Sequence, residues 1–129
     1  MSVRIRTITF DCAEPYPLSL FWSQVTGFGE DPDDPNLPEQ DEAVLLAPDG
    51  TPNLLFVRVP EGKQVKTRVH LDLTPLDFGP GAREAELARI LELGATLAED
   101  RRRPDGTGWV VLADPEGNEF CVERGVPGG

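Results

Sequence analysis

The chain carries one pattern of elements twice, and this repeat limits its fold more than any other feature. Shifted by 63 residues, Thr7, Ile8, Thr9 and Phe10 fall on His70, Leu71, Asp72 and Leu73, polar on polar and apolar on apolar. Further along, Pro48-Asp49-Gly50 falls on Pro115-Glu116-Gly117 with a shift of 67, a difference that one small indel accounts for. In each half the order is strand, helix, strand, strand, strand. The expectation is an α+β fold of two βαβββ modules, at about 1–62 and 63–125, whose mixed sheet curves around a central cleft. An α+β plait or another mixed sheet is the alternative that so short a likeness leaves open.

Periodicity places the elements. Val3 to Phe10 reads as a strand with Ile8 and Phe10 inward. Pro15 and Pro17 open a helix whose Leu18, Phe21, Trp22 and Val25 follow the i, i+3, i+4, i+7 rule, and Gly27 stops it. Glu30 to Glu42 is too acidic and proline-rich to bury much, so it is expected to be an exposed loop carrying at most a short strand. Ala43 to Ala47 and Leu54 to Val59 are strands on either side of a Pro48-Asp49-Gly50 hairpin. Thr67 to Thr74 alternates cleanly, with Val69, Leu71 and Leu73 on one face and His70, Asp72 and Thr74 on the other. A second helix runs from about Gly81 to Leu93, with Leu87, Ile90 and Leu91 inward and Arg83, Glu84, Glu86, Arg89 and Glu92 outward. Strands at Ala95 to Glu99, Trp109 to Ala113 and Asn118 to Arg124 follow, and the tail after Gly125 is too glycine-rich to order itself.

Charge and cysteine usage narrow the function. At 129 residues one domain with a real core is expected. A net charge of −11 repels phosphate backbones and anionic lipid surfaces, so the expected partner is a small molecule rather than nucleic acid or membrane. The basic run Arg101, Arg102 and Arg103 reads as a solvated strand end before it reads as an anion site. The N-terminus lacks the apolar core of a signal peptide, and no stretch reaches the length of a membrane span, so a cytoplasmic protein is expected. Cys12 and Cys121 lie in apolar strand contexts and cannot by themselves build a disulfide framework or a zinc knuckle.

The run Trp109-Val110-Val111-Leu112-Ala113-Asp114-Pro115-Glu116-Gly117-Asn118-Glu119-Phe120-Cys121-Val122 resembles the closing hairpin of glyoxalase/bleomycin-resistance (vicinal oxygen chelate) proteins. Arg68-Val69-His70-Leu71-Asp72-Leu73 resembles the opening strand of their second module. Phe21-Trp22 with Gly27-Phe28, and Leu91-Glu92-Leu93-Gly94-Ala95, resemble their two helix ends. The likeness spans nearly the whole chain and is closest to the glyoxalase-like domain branch. It implies a single domain and a homodimer, since these modules pair within one chain or across two. It also implies a divalent metal as cofactor in many members, with one ligand from the first and last strand of each module. On this sequence those positions are Thr7, a residue near Val57 (Leu55 or Phe56 if the register slips), His70 and Cys121. Only His70 matches the usual ligand. Threonine and an aliphatic side chain cannot replace the other two ligands without most of the binding energy being lost, so the ligand set is incomplete and no metal ligand is assigned.

The candidate catalytic residues are His70 and Asp72, which an ideal strand holds about 7 Å apart on one face. That pair suits general acid/base work or an anionic ligand, against the plainer reading of a histidine on a half-solvated strand. Thr7, Thr9, Val57, Trp109, Cys121 and Glu123 are the candidate ligand-binding residues. Cys121 is a small buried hydrophobe before it is a nucleophile, and Trp109, following Gly106 and Gly108, is placed to line the cleft mouth. Three functions compete. The first is capture of a small organic molecule in the inter-module cleft without a tightly held metal. The second is metal-dependent or His-assisted isomerase, lyase or dioxygenase chemistry of glyoxalase type, and the third is a ligand-free dimerising module.

Overall fold

The computed structural model describes residues 2–49, 52–77 and 79–124. The fold class is α+β, and the chain divides into two compact units, Met1–Lys63 and Gln64–Gly129.

The first unit contains β1 (Thr7–Cys12), α1 (Pro15–Thr26), β2 (Glu42–Leu45) and β3 (Asn53–Arg58). Its sheet order is β1-β3-β2, with β1 parallel and β2 antiparallel to β3. β1 starts at Thr7 rather than Val3 because pairing begins at Thr7↔Asn53; Val3 and Ile5 find no strand to cover them and stay exposed. The strand expected next to the helix is reduced to an isolated bridge, Gly29↔Leu46. In its place the acidic loop is tied to β2 by one side chain. The Asn36 amide donates to the Val44 carbonyl and accepts from the Val44 N–H, both at 2.9 Å, and so does for that edge what a neighbouring peptide group would do.

Helix α1 begins with prolines because its first turn has no N–H partners to lose. It ends at Gly27, whose φ of 79° lets its N–H reach back to the Ser23 carbonyl at 2.8 Å. Leu18, Phe21 and Trp22 are buried against the sheet, where Ala43, Leu45, Leu54 and Phe56 point inward. Phe10 joins this core with its ring 5.4 Å from Trp22 and 5.1 Å from Phe56. The tip of the 48–50 turn, Gly50, lies outside the described residues, as does the tail from Gly125.

The second unit contains β4 (Asp72–Leu73), α2 (Ala82–Leu93), β5 (Thr96–Asp100), β6 (Trp109–Ala113) and β7 (Glu119–Glu123). Its order is β4-β7-β6-β5, with β4 parallel to β7 and the other pairs antiparallel. As in the first unit, the opening strand lies parallel beside the closing one. β4 is far shorter than the alternation of Thr67 to Thr74 suggests. The Glu119 carboxylate takes the Thr67 N–H at 2.8 Å and also its hydroxyl, so a side chain replaces the ladder there. Val69, expected inward, is therefore 82% exposed.

Two positions of α2 depart from expectation. Leu91 is 41% exposed, while Arg83 is only 6% exposed. The buried stripe is 83, 87 and 90, an i, i+4, i+7 row that Leu91 falls beside. Arg83 is accommodated because its guanidinium meets the Glu84 carboxylate at 2.8 Å and the Gly108 carbonyl at 3.3 Å. The β6–β7 turn is organised by Asp114, whose carboxylate accepts the Glu116 and Asn118 N–H groups at 2.9 and 3.0 Å.

At the end of β5 the Arg102 guanidinium grips the Asp100 carboxylate at 3.0 and 2.7 Å. These hydrogen bonds hold the Asp100 carboxyl down at about 2, from an ordinary 3.8. Because the folded-state value is depressed, whatever this exposed pair adds to stability is in place above the ordinary value and is lost as pH falls toward about 2. Arg102→Ala is expected to return the Asp100 midpoint toward 3.8, read by NMR titration of its carboxyl carbon. An unchanged midpoint contradicts the assignment.

Candidate functional site

The antiparallel pair β6–β7 sorts its residues by face. Val110, Leu112, Phe120 and Val122 turn into the core and are almost fully buried. On the other face Trp109 pairs with Glu123 and Val111 with Cys121, and these side chains line a hollow of about 360 Å³. Lys66, His70 and Asp72 close it from the β4 side, Glu99 and Arg101 from the β5 side, and Glu119 stands at the turn end.

Asp72 and Cys121 are cross-strand partners, so their side chains meet directly. His70 comes from the irregular segment before β4, and its Nδ1 lies 3.0 Å from the Asp72 carboxylate and 3.9 Å from the Cys121 sulfur. The three donor atoms lie within 4.8 Å of one another. This is not the layout of a Cys-His-Asp relay, which needs the sulfur at one ring nitrogen and the carboxylate at the other. Here both partners converge on Nδ1. The Cys121 thiol is also pushed up to about 11, first by burial and then by the Asp72 carboxylate beside it, so it stays protonated and weakly nucleophilic near neutral pH.

Imidazole nitrogen, carboxylate oxygen and sulfur form a donor set that suits a zinc-class divalent ion with an open fourth position. The residues therefore fit the metal that the fold implies, although only two of the three were countable at the inherited ligand positions.

Of the residues singled out in the sequence, His70, Asp72, Trp109, Cys121 and Glu123 come together in this hollow. Thr7, Thr9 and Val57 stand on the first unit's sheet, with Thr9 opposite Leu55 and Val57 opposite Asp11. The first-unit counterpart of the Asp72↔Cys121 pair is Thr9↔Leu55, so the register selects Leu55 where Val57 was named. Sequence reasoning missed Lys66, Glu99, Arg101, Val111 and Glu119. Alternation along β7 puts Glu119 on the face of Cys121, a signal that was available; Lys66 lies in a connector with no periodicity to read. Arg101 is ion-paired to Glu99 at 2.7 Å, so the basic run contributes one wall residue here.

The model of the glyoxalase-like domain family matches residues 7–123. The chain belongs to this family. Among solved structures, this glyoxalase-like domain is similar to a glyoxalase/bleomycin resistance protein/dioxygenase family enzyme from Burkholderia phytofirmans PsJN, at 18% identity and a TM-score of 0.74 over 96% of this chain and 100% of that one. It is similar to a glyoxalase-related enzyme from Fulvimarina pelagi at 13% identity and a TM-score of 0.69, over 96% of this chain and 89% of that one. A mutant of the genomically encoded fosfomycin resistance protein from Listeria monocytogenes, complexed with Mn(II) and 1S,2S-dihydroxypropylphosphonic acid, is similar at 16% identity and a TM-score of 0.69, over 98% and 94% of the two chains. At these identities the likeness is one of fold. No curated protein matches the glyoxalase-like domain significantly. Among the described residues no helix is long and apolar enough to cross a membrane.

Proposed function

We propose that this glyoxalase-like domain binds a small organic molecule in the hollow over β6 and β7. The observation that carries the reading is the meeting of an aromatic wall with a compact polar cluster: Trp109 on one side, and His70, Asp72 and Cys121 on the other, over a floor formed by Val111. A ligand needs both parts, apolar contact for affinity and a few placed polar groups for orientation. The Arg103 guanidinium lies 5.9 Å from the Trp109 ring centroid and steadies that wall. Solved neighbours named for bleomycin and fosfomycin resistance are consistent with capture or modification of a small compound on this scaffold.

A second reading is favoured by the donor trio: isomerase, lyase or dioxygenase chemistry of glyoxalase type on a carbonyl or aromatic compound. A divalent ion held by His70, Asp72 and Cys121 would supply Lewis-acid polarisation of a bound oxygen. The chain's own part would be to orient the compound against Trp109.

A thermal-shift screen of small aromatics and thiol conjugates, run with chelator present, tests the first reading. A compound at about 100 times its Kd is expected to stabilise the fold by about 2.7 kcal/mol. His70→Ala and Trp109→Ala are each expected to weaken that compound at least about tenfold, roughly 1.4 kcal/mol. Stabilisation by no compound, or full affinity in both variants, would count against the proposal.

A further inference from the structure

We propose that Arg83, in the first turn of α2, is a positioning residue for the hollow: its guanidinium sets the place of Trp109 by holding the carbonyl of Gly108. This rests on the reading of Trp109 as the aromatic wall of a ligand site, and it extends that site to a helix none of whose described residues lines the hollow.

Arg83 stands in a costly place. It is the second residue of α2, where the positive end of the helix dipole disfavours a cation, and it is buried, so its charge has lost most of its water. The helix does not need it for packing, since Leu87 and Ile90 supply the apolar part of the buried stripe. What offsets the cost is a pair of acceptors. The Arg83 Nε donates to the Glu84 carboxylate at 2.8 Å, and its Nη1 donates to the Gly108 carbonyl at 3.3 Å.

The second acceptor connects the helix to the site. Gly108 and Trp109 share one planar peptide unit, so a donor on the Gly108 oxygen constrains the Trp109 nitrogen and Cα as well. Gly108 has no side chain to pack and sits at a φ of 95°, so this turn needs a hold from outside itself. Glu84 ties the other end of the same connection. Its carboxylate lies 3.6 Å from the Arg102 guanidinium, which grips Asp100 at the end of β5 at 2.7 Å. The first turn of α2 therefore holds both ends of the segment 100–108 that joins β5 to β6. Arg101 and Trp109, the two walls at this corner, are joined by the 2.9 Å bond from the Arg101 N–H to the Trp109 carbonyl, so they keep their places together.

The test reads Trp109 emission in a Trp22→Phe background, where Trp109 is the only indole. Arg83→Met keeps an unbranched side chain and removes the donors. Its Trp109 emission is expected to move to longer wavelength, and quenching by acrylamide is expected at least to double, as the ring is released toward water. Leu87→Ala, one turn along the same buried stripe, is the control for lost stability alone: its melting temperature falls, while Trp109 emission below the transition stays where the parent has it. Should Arg83→Met not fold, Glu84→Ala carries the test, because Glu84 is half exposed and its loss removes the carboxylate from both Arg83 and Arg102; the same red shift is expected. Unchanged emission in folded Arg83→Met, or in Glu84→Ala where the first does not fold, would overturn the proposal, as would a shift of equal size in Leu87→Ala. No ligand is added, so a shifted Trp109 supports the positioning even where no compound stabilises the parent protein, a result that would count against ligand capture alone.

Discussion

Trp22→Ala is expected to cost about 3–5 kcal/mol, much of the roughly 5–15 kcal/mol that holds a domain of this size folded. Trp22 is 1% exposed and is the largest side chain in the first unit's core. Its ring meets Phe10 at 5.4 Å and Phe21 edge-on at 5.5 Å. Phe10 in turn touches Phe56, which is wholly buried on β3. Truncation leaves a cavity that the paired strands β1 and β3 cannot close, because their register is fixed along all six residue pairs. Urea unfolding followed by circular dichroism measures the effect. A loss under about 1 kcal/mol would mean that the helix–sheet packing of the first unit is looser than these contacts require.

Gly108→Ala is expected to cost about 3 kcal/mol and to disturb the hollow as well. Gly108 has a φ of 95°, a conformation that residues with a Cβ rarely adopt. A Cβ there would fall 2.1 Å from the Arg101 carbonyl oxygen and 3.1 Å from Arg102 Cα, backbone atoms that cannot swing aside. Arg101 and Trp109, both walls of the hollow, are tied to each other by the 2.9 Å bond from the Arg101 N–H to the Trp109 carbonyl. Pushing β5 away from β6 at this point moves both. A melting temperature lower by about 10 °C or more is expected, together with weaker binding of any compound that stabilises the parent protein. Equal melting temperatures for the variant and the parent would contradict the close approach.

Elements with unbroken periodicity were legible in the sequence. The 3.6-residue stripe of α1, the β6–β7 hairpin around Asp114, and the opening strand followed by a helix in both units all follow from residue pattern alone. Periodicity failed where a side chain took over a backbone role. Glu119 capturing Thr67 interrupts the strand expected at Thr67 to Thr74, and Asn36 clamping Val44 stands in for a strand in the first unit. The same interruption hid how closely two of the candidate residues meet. Regular alternation keeps residues i and i+2 about 7 Å apart, whereas the irregular backbone before β4 lets His70 approach Asp72 to 3.0 Å. Arg83 was misjudged because composition says that arginine stays outside, while its partners Glu84 and Gly108 allow it in.

A small molecule is expected to occupy the hollow between Trp109 and His70. The chain has two tryptophans, so Trp22→Phe, which keeps a ring in the core, leaves Trp109 as the sole indole reporter. With a compound that stabilises the protein, Trp109 emission should change saturably, with a midpoint equal to the calorimetric Kd and at least about tenfold weaker once His70→Ala is added. A compound that raises the melting temperature while Trp109 emission stays constant would place binding elsewhere and contradict the account.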